Sequence, residues 1–215
     1  MARSLRTSLM FSIMILCVTS FALADPVEVL NFRGLKDQQL VGNFYNGGYS
    51  GAQNFGVVFS SDFYGLIPTS RGGSGNFTPN PTGSPAIFSN TGSGYMNVMN
   101  GFGSGINFFY TAAFQETVKV WSGTNGTGTL LATIILSPND ASCLGSYCNW
   151  TDIGANFSGT AKSVTFSGQA NKVGIADITL GQSSSAAVPE PSSIYLLGTG
   201  LAGVGGYWMR RLVRL

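Results

Sequence analysis

Between residues 27 and 180 no window of this chain sustains the apolar period of a helix. Short apolar runs alternate instead with clusters of Gly, Asn, Ser and Pro. A segment that changes character every few residues cannot offer the continuous stripe a helix needs for burial, but it suits short strands separated by turns. In 106–114, Ile106, Phe108, Tyr110, Ala112 and Phe114 fall on one face and Asn107, Phe109, Thr111 and Ala113 on the other. That composition predicts a strand buried on both sides. Segments 117–121 and 130–136 flank SGTNGTGT, a glycine-rich turn that reads as a hairpin. Further strands are expected at 29–32, 41–45, 55–59, 87–88, 95–99, around Val164 and Phe166, and at 173–180. Nine or ten strands in one such stretch predict an all-β fold, a jelly-roll-like two-sheet sandwich. The longest irregular stretch, 71–85 (RGGSGNFTPNPTGSP), reads as a surface loop.

Composition excludes several chemistries. The chain has no histidine, so Ser-His-Asp and Cys-His nucleophiles and His-ligated zinc are out of reach. Charged residues make up 9%, against roughly 25% in an average soluble domain. Between Asp25 and Val188 six bases face eight acids, a net charge of −2 with no basic cluster. Such a body offers little to a phosphate backbone, and nucleic acid is not an expected partner.

The two ends differ from the body. Arg3 and Arg6 precede an apolar run from Leu9 to Val18 and the small-residue triplet Ala22-Leu23-Ala24. This is the layout of a secretory signal peptide over residues 1–24, with the Sec translocon and signal peptidase as partners, Ala22 and Ala24 marking the site, and cleavage after Ala24. Leu16 before Cys17 is too large for a lipoprotein signal. At the other end, a polar linker over 182–187 leads to Val188-Pro189-Glu190-Pro191, an apolar run from Ser192 to Met209, and Arg210, Arg211 and Arg214. Eighteen residues rise about 27 Å as a helix, a transmembrane span of marginal length. Basic residues after it belong on the cytoplasmic side, which places the body, 25–181, outside. The letters Gly198-Thr199-Gly200-Leu201-Ala202-Gly203 match a dinucleotide fingerprint, but they lie inside the apolar span and not between a strand and a helix.

The ordering of Val188-Pro189-Glu190-Pro191, Gly-rich apolar helix and arginine cluster over 188–215 resembles the PEP-CTERM sorting signal of Gram-negative bacteria. The resemblance implies recognition by exosortase, a membrane-embedded cysteine transpeptidase that processes the tail near Pro-Glu-Pro. It also implies an inner-membrane-anchored precursor that ends at the cell surface or outside the cell. A plain C-terminal anchor, with prolines that merely stop the helix, is the alternative. Segments 30–49, 122–136 and 173–181 are similar to the ectodomains of a group of uncharacterised PEP-CTERM proteins. The resemblance implies a link to exopolysaccharide or biofilm but no established activity. Members often carry an acid after the phenylalanine of the first strand and Asp-Asn in the last, which in related jelly rolls bind calcium. This chain has Arg33 after Phe32, and Ala176-Asp177, so no metal or other cofactor is expected.

After removal of the signal, Cys143 and Cys148 remain, a C-x4-C pair that in an oxidising compartment reads as a disulfide closing the loop before Trp150. Glycosidase chemistry needs only two carboxylates, but Glu28, Asp37, Asp62, Glu116, Asp140 and Asp152 are scattered and none is assigned a catalytic role. The expected function is a non-catalytic, surface-displayed or extracellular-matrix protein, with a lectin-like carbohydrate-binding module as one alternative and a secreted glycosidase as another. For sugar binding the segment 43–49 (NFYNGGY) combines ring faces with amides, so Tyr45, Asn46, Tyr49 and Trp150 are the candidates, with Trp121 as a further one. Aromatics in a sandwich serve equally as core or turn packing, and both readings stand.

Overall fold

The computed structural model describes residues 27–48, 52–143 and 145–182. The signal peptide with Ala22 and Ala24, Tyr49, the 183–187 part of the linker, the sorting signal and the basic tail lie outside the described residues. Among those described, no helix is long and apolar enough to cross a membrane.

Among the described residues eleven strands form: β1 (Glu28–Leu30), β2 (Val57–Phe59), β3 (Phe63–Leu66), β4 (Ala86–Ser89), β5 (Ser93–Phe102), β6 (Gly105–Ala112), β7 (Glu116–Trp121), β8 (Leu130–Leu136), β9 (Thr151–Asn156), β10 (Ala161–Ser167) and β11 (Val173–Leu180). The last eight pair as one long hairpin would, β4 with β11, β5 with β10, β6 with β9 and β7 with β8, all antiparallel. Successive pairs alternate between two sheets, giving the orders β4-β11-β6-β9 and β5-β10-β7-β8. A folded ribbon of this kind is a jelly roll. β3 and β1 extend the first sheet and β2 the second.

The alternation seen in the sequence decides which side chains meet. Val118, Val120, Val164, Phe166, Met96 and Val98 point inward from the second sheet and meet Ile106, Phe108, Tyr110, Ile175 and Ile178 from the first. Phe63 and Phe166 cross edge to face with centroids 5.3 Å apart, the arrangement ring quadrupoles favour. β6 is buried along its length except for half-buried Phe109, as its two-faced composition requires. In the β7–β8 hairpin, Asn125 (φ 55°) and Gly126 (φ 71°) adopt the left-handed conformation that Asn-Gly tolerates best.

One expectation is corrected and two more regions are extended. Segment 41–45 is not a strand: Gly42 (φ 42°) turns the chain, Phe44 N–H bonds Val41 O, and only single bridges form, Leu40 to Tyr64 and Tyr45 to Val57. β3 and β9 were not anticipated; β9 (TDIGAN) has weak β propensity and is held by its register with β6 from Tyr110↔Thr151 to Gly105↔Asn156. Segment 71–85 is irregular and largely exposed, as expected of a surface loop, but it is also anchored. It caps the outer face of the first sheet and buries Phe77, Asn80 and Ser84. Burial is possible because its polar groups are satisfied: Asn80 Nδ2 donates to Ser84 O at 3.0 Å, Thr82 Oγ1 to Asp177 Oδ2 at 2.6 Å, and Ser84 Oγ to Asp177 Oδ1 at 3.0 Å. Phe77 joins Ala86 and Ala176 in a second small core, against which Leu66, Phe109, Tyr147 and Trp150 pack.

Candidate functional site

The outer face of the second sheet is polar because the residues alternating with its core positions are polar. On β7 these are Thr117, Lys119 and Trp121; on β10, Ser163, Thr165 and Ser167; on β5, Ser93, Tyr95 and Asn97. Register sets them in rows. Tyr95, Thr165 and Lys119 lie side by side, as do Asn97, Ser163 and Trp121, and Ser93, Ser167 and Thr117.

Trp121 is half-buried and its indole N–H donates to Thr165 Oγ1 at 3.0 Å, which draws the ring toward β10. The hairpin loop closes one end: Asn97 Nδ2 donates to Asn125 Oδ1 at 2.7 Å, Asn125 N–H returns a bond to Asn97 Oδ1 at 2.8 Å, and Gly126 N–H donates to Ser163 Oγ at 2.9 Å. A Cβ on Gly126 would lie 2.6 Å from Thr165 Cγ2, so only glycine lets the loop approach this closely. At the other end Asp62 accepts from Ser60 Oγ at 2.8 Å and Thr91 Oγ1 at 3.2 Å, which holds its carboxylate beside Ser93 and Gly94. Between them lies an open groove of about 580 Å³ that carries two aromatic rings, one ammonium, one carboxylate and several hydroxyls.

Of the sugar candidates on the 43–49 turn, Tyr45 and Asn46 are among the described residues, and the tyrosine is turned into the core. Tyr45 is buried among Phe32, Phe44 and Phe55, and its hydroxyl accepts the Phe32 N–H at 2.5 Å. Burial pushes its phenol well above the usual range, with a lowering contribution from that hydrogen bond and a small rise from the Asp177 charge. No face of the ring is left for a ligand. Asn46 is half-buried beside it, its N–H bonded to Asn43 O. Trp150 packs edge-on to Phe77 in the other core cluster, and its indole N–H donates to Thr78 O at 2.6 Å. Trp121, on the polar face of β7, is the tryptophan that reaches the groove; Tyr95 and Lys119 were legible from the same alternation.

The cysteines do pair, Cys143 with Cys148. The carboxylates are spread out as well as separated in sequence. Asp37 binds Ile67 N–H and Ser74 N–H, Asp152 binds Asn107, and Asp62 lies in the groove. Glu116 is buried at the head of β7, Oε2 lacks a partner, and desolvation pushes its carboxyl up to about 7. Burial also raises Asp177, against the lowering effects of Thr82, Ser84 and the Arg33 charge. Arg33 itself donates to Thr82 O at 3.2 Å. With hydroxyls on both its oxygens and a guanidinium nearby, Asp177 does not fit a cation-binding role. Among the described residues no cluster of three or more acids or cysteines is placed to hold a metal.

Beyond Gln182 the chain runs through Val188-Pro189-Glu190-Pro191, an apolar stretch and arginines. Residues 187–211 match the PEP-CTERM protein-sorting motif. PEP-CTERM implies an exported, membrane-anchored precursor that exosortase processes. The match takes in Pro189, Glu190, Pro191, Arg210 and Arg211 and stops short of Arg214. No curated protein matches the chain in sequence. Among solved structures it is similar to a family 6 carbohydrate-binding module of Clostridium stercorarium in complex with cellobiose, at 14% identity over 72% of this chain and 93% of that one, with a TM-score of 0.38. A β-1,3-glucan-binding family 6 module of Bacillus halodurans gives 13%, 72% and 96%, with a TM-score of 0.40. A family 29 carbohydrate-binding module gives 14%, 77% and 96%, with a TM-score of 0.40. At these values the likeness transfers neither a binding face nor a ligand to this chain.

Proposed function

We propose that this PEP-CTERM protein displays a non-catalytic sandwich outside the cell and binds a polysaccharide of the extracellular matrix along the outer groove of the second sheet. The observation that carries this reading is the placing of Trp121 and Tyr95 in one open groove on either side of Thr165, with Lys119 and Asp62 beside them. A pyranose ring offers C–H groups to an aromatic face and its hydroxyls to charged and hydroxyl groups, and this groove supplies both. The open shape suits a chain passing through. Hydrolysis would call for a second carboxylate across the cleft, whereas Asp62 is the acid that lines the groove.

The test is affinity electrophoresis through gels containing a polysaccharide panel that includes the host's own exopolysaccharide. Retardation is expected with at least one polymer, and Trp121→Ala is expected to weaken it about tenfold or more, as loss of a half-buried aromatic anchor does. Unchanged mobility across the whole panel would remove the reading. Release of new reducing ends from the retarding polymer would replace it with a glycosidase, and a deletion strain with normal biofilm would detach the protein from the matrix.

A further inference from the structure

The ammonium in the groove of the second sheet is half-buried and unpaired. Lys119 lies on the outer face of β7 between Thr117 and Trp121, and no hydrogen bond or ion pair to another described residue engages its Nζ. The carboxylate of the groove does not answer it. Asp62 stands on the β5 side, with β10 between it and β7, and its two oxygens already accept from Ser60 Oγ and Thr91 Oγ1.

Position turns this unpaired charge into a preference among ligands. Two residues along a strand span about 7 Å, so the long stem of Lys119 brings its ammonium within reach of a substituent on a sugar stacked against Trp121. Tyr95 stands in the same row as Lys119, two strands away and about 10 Å across the sheet, so the two rings take different sugars. The polymer that joins them passes over Thr165, next to the ammonium. Such a chain covers Lys119 and strips water from it. Sugar hydroxyls replace that hydration only in part, whereas an anion forms a charge-assisted bond about twice as strong as a neutral one. Overall charge gives an acidic polymer no help, because six bases face eight acids between Asp25 and Val188. Its gain is local to this lysine.

We propose that the polysaccharide of this groove is acidic, and that a carboxylate or sulfate group on the sugar beside Trp121 pairs with Lys119. This rests on the groove reading given under the proposed function and adds the class of polymer to it. Trp121 and Tyr95 supply stacking, which any pyranose can satisfy; Lys119 supplies the selection.

Calorimetric titration of the exported protein with polygalacturonate, alginate, κ-carrageenan and the host's own exopolysaccharide, each beside its carboxyl-reduced or desulfated form, tests the assignment. At least one acidic polymer is expected to bind about fivefold or more tighter than its neutral counterpart. That margin is expected to shrink between about 20 mM and about 500 mM salt. Lys119→Met keeps the apolar stem, so the domain is expected to stay folded and to hold the neutral form as before, while the margin and its salt dependence disappear. Lys119→Arg is expected to retain both. Equal binding of the acidic and neutral forms by the unaltered protein, or a margin that survives Lys119→Met, overturns the assignment and leaves a groove for neutral polymers. Absence of binding to every polymer, acidic or neutral, overturns the groove reading with it.

Discussion

Raising the pH from about 5 to about 8 is expected to cost the sandwich about 2–3 kcal/mol of stability, and Glu116→Gln is expected to recover most of that loss. Glu116 opens β7 on the face that continues inward as Val118 and Val120, opposite Leu136 on β8. It is 4% exposed, and Gly168 packs against its stem so closely that a Cβ there would lie 2.7 Å from Glu116 Cγ. With Oε2 unpartnered, the charged form finds little to replace water, which is why its carboxyl sits up at about 7 against an ordinary 4.5. An acid whose folded pKa is raised binds its proton more tightly in the native state. Its contribution is therefore present at low pH and disappears as the pH climbs from the unfolded value through the folded one. Asp177 is raised too and acts with the same sign, so the glutamine variant should flatten the profile without levelling it. Chemical denaturation at several pH values reads the effect. A stability that is flat or rising across this window, or a glutamine variant that tracks the unaltered protein, would show that Glu116 is solvated.

How much of this could be read from the letters depends on the range of the interactions involved. Strands whose alternation is complete in a few residues, such as β7 and β10, announce both their existence and their two faces. The same alternation puts Trp121 on the polar side of β7, where an aromatic ring is out of place unless it has a use. The hairpin and the Cys143–Cys148 pair are also local, closed over a few residues, and both formed as expected. β9 escaped notice because its own residues do not favour a strand; the edge of β6 makes it one. The cap over the first sheet escaped for a related reason. A run such as NPTGSP looks like solvent-exposed turn until the chain returns, 95 positions after Thr82, with the carboxylate that its hydroxyls bind. Tyr45 misled in the opposite direction. A tyrosine on a glycine-rich turn resembles a ligand contact, but here its hydroxyl meets the backbone N–H of Phe32, just past β1, and the ring fills the core.

Asp177→Ala is expected to destabilise the ectodomain by about 3–4 kcal/mol, lowering its melting temperature by about 10 °C. Two independent losses add. Asp177 sits at the irregularity of β11 between Ala176 and Thr179 with φ at 51°, a left-handed conformation that Asp and Asn accept more readily than Ala. Its carboxylate is also what Thr82 and Ser84 donate to, so alanine leaves Asn80 Oδ1, which already accepts from both, as their remaining acceptor. Asp177→Asn retains the backbone preference and one acceptor oxygen and should cost about half as much. The same tie holds 71–85 against the sheet, and with it Phe77. Alanine should therefore loosen the cap at temperatures where the domain is still folded, while the groove on the other sheet, which shares none of these bonds, keeps its polysaccharide. An alanine variant within about 1 kcal/mol of the unaltered protein would mean that the cap is held by its apolar contacts and not by this carboxylate.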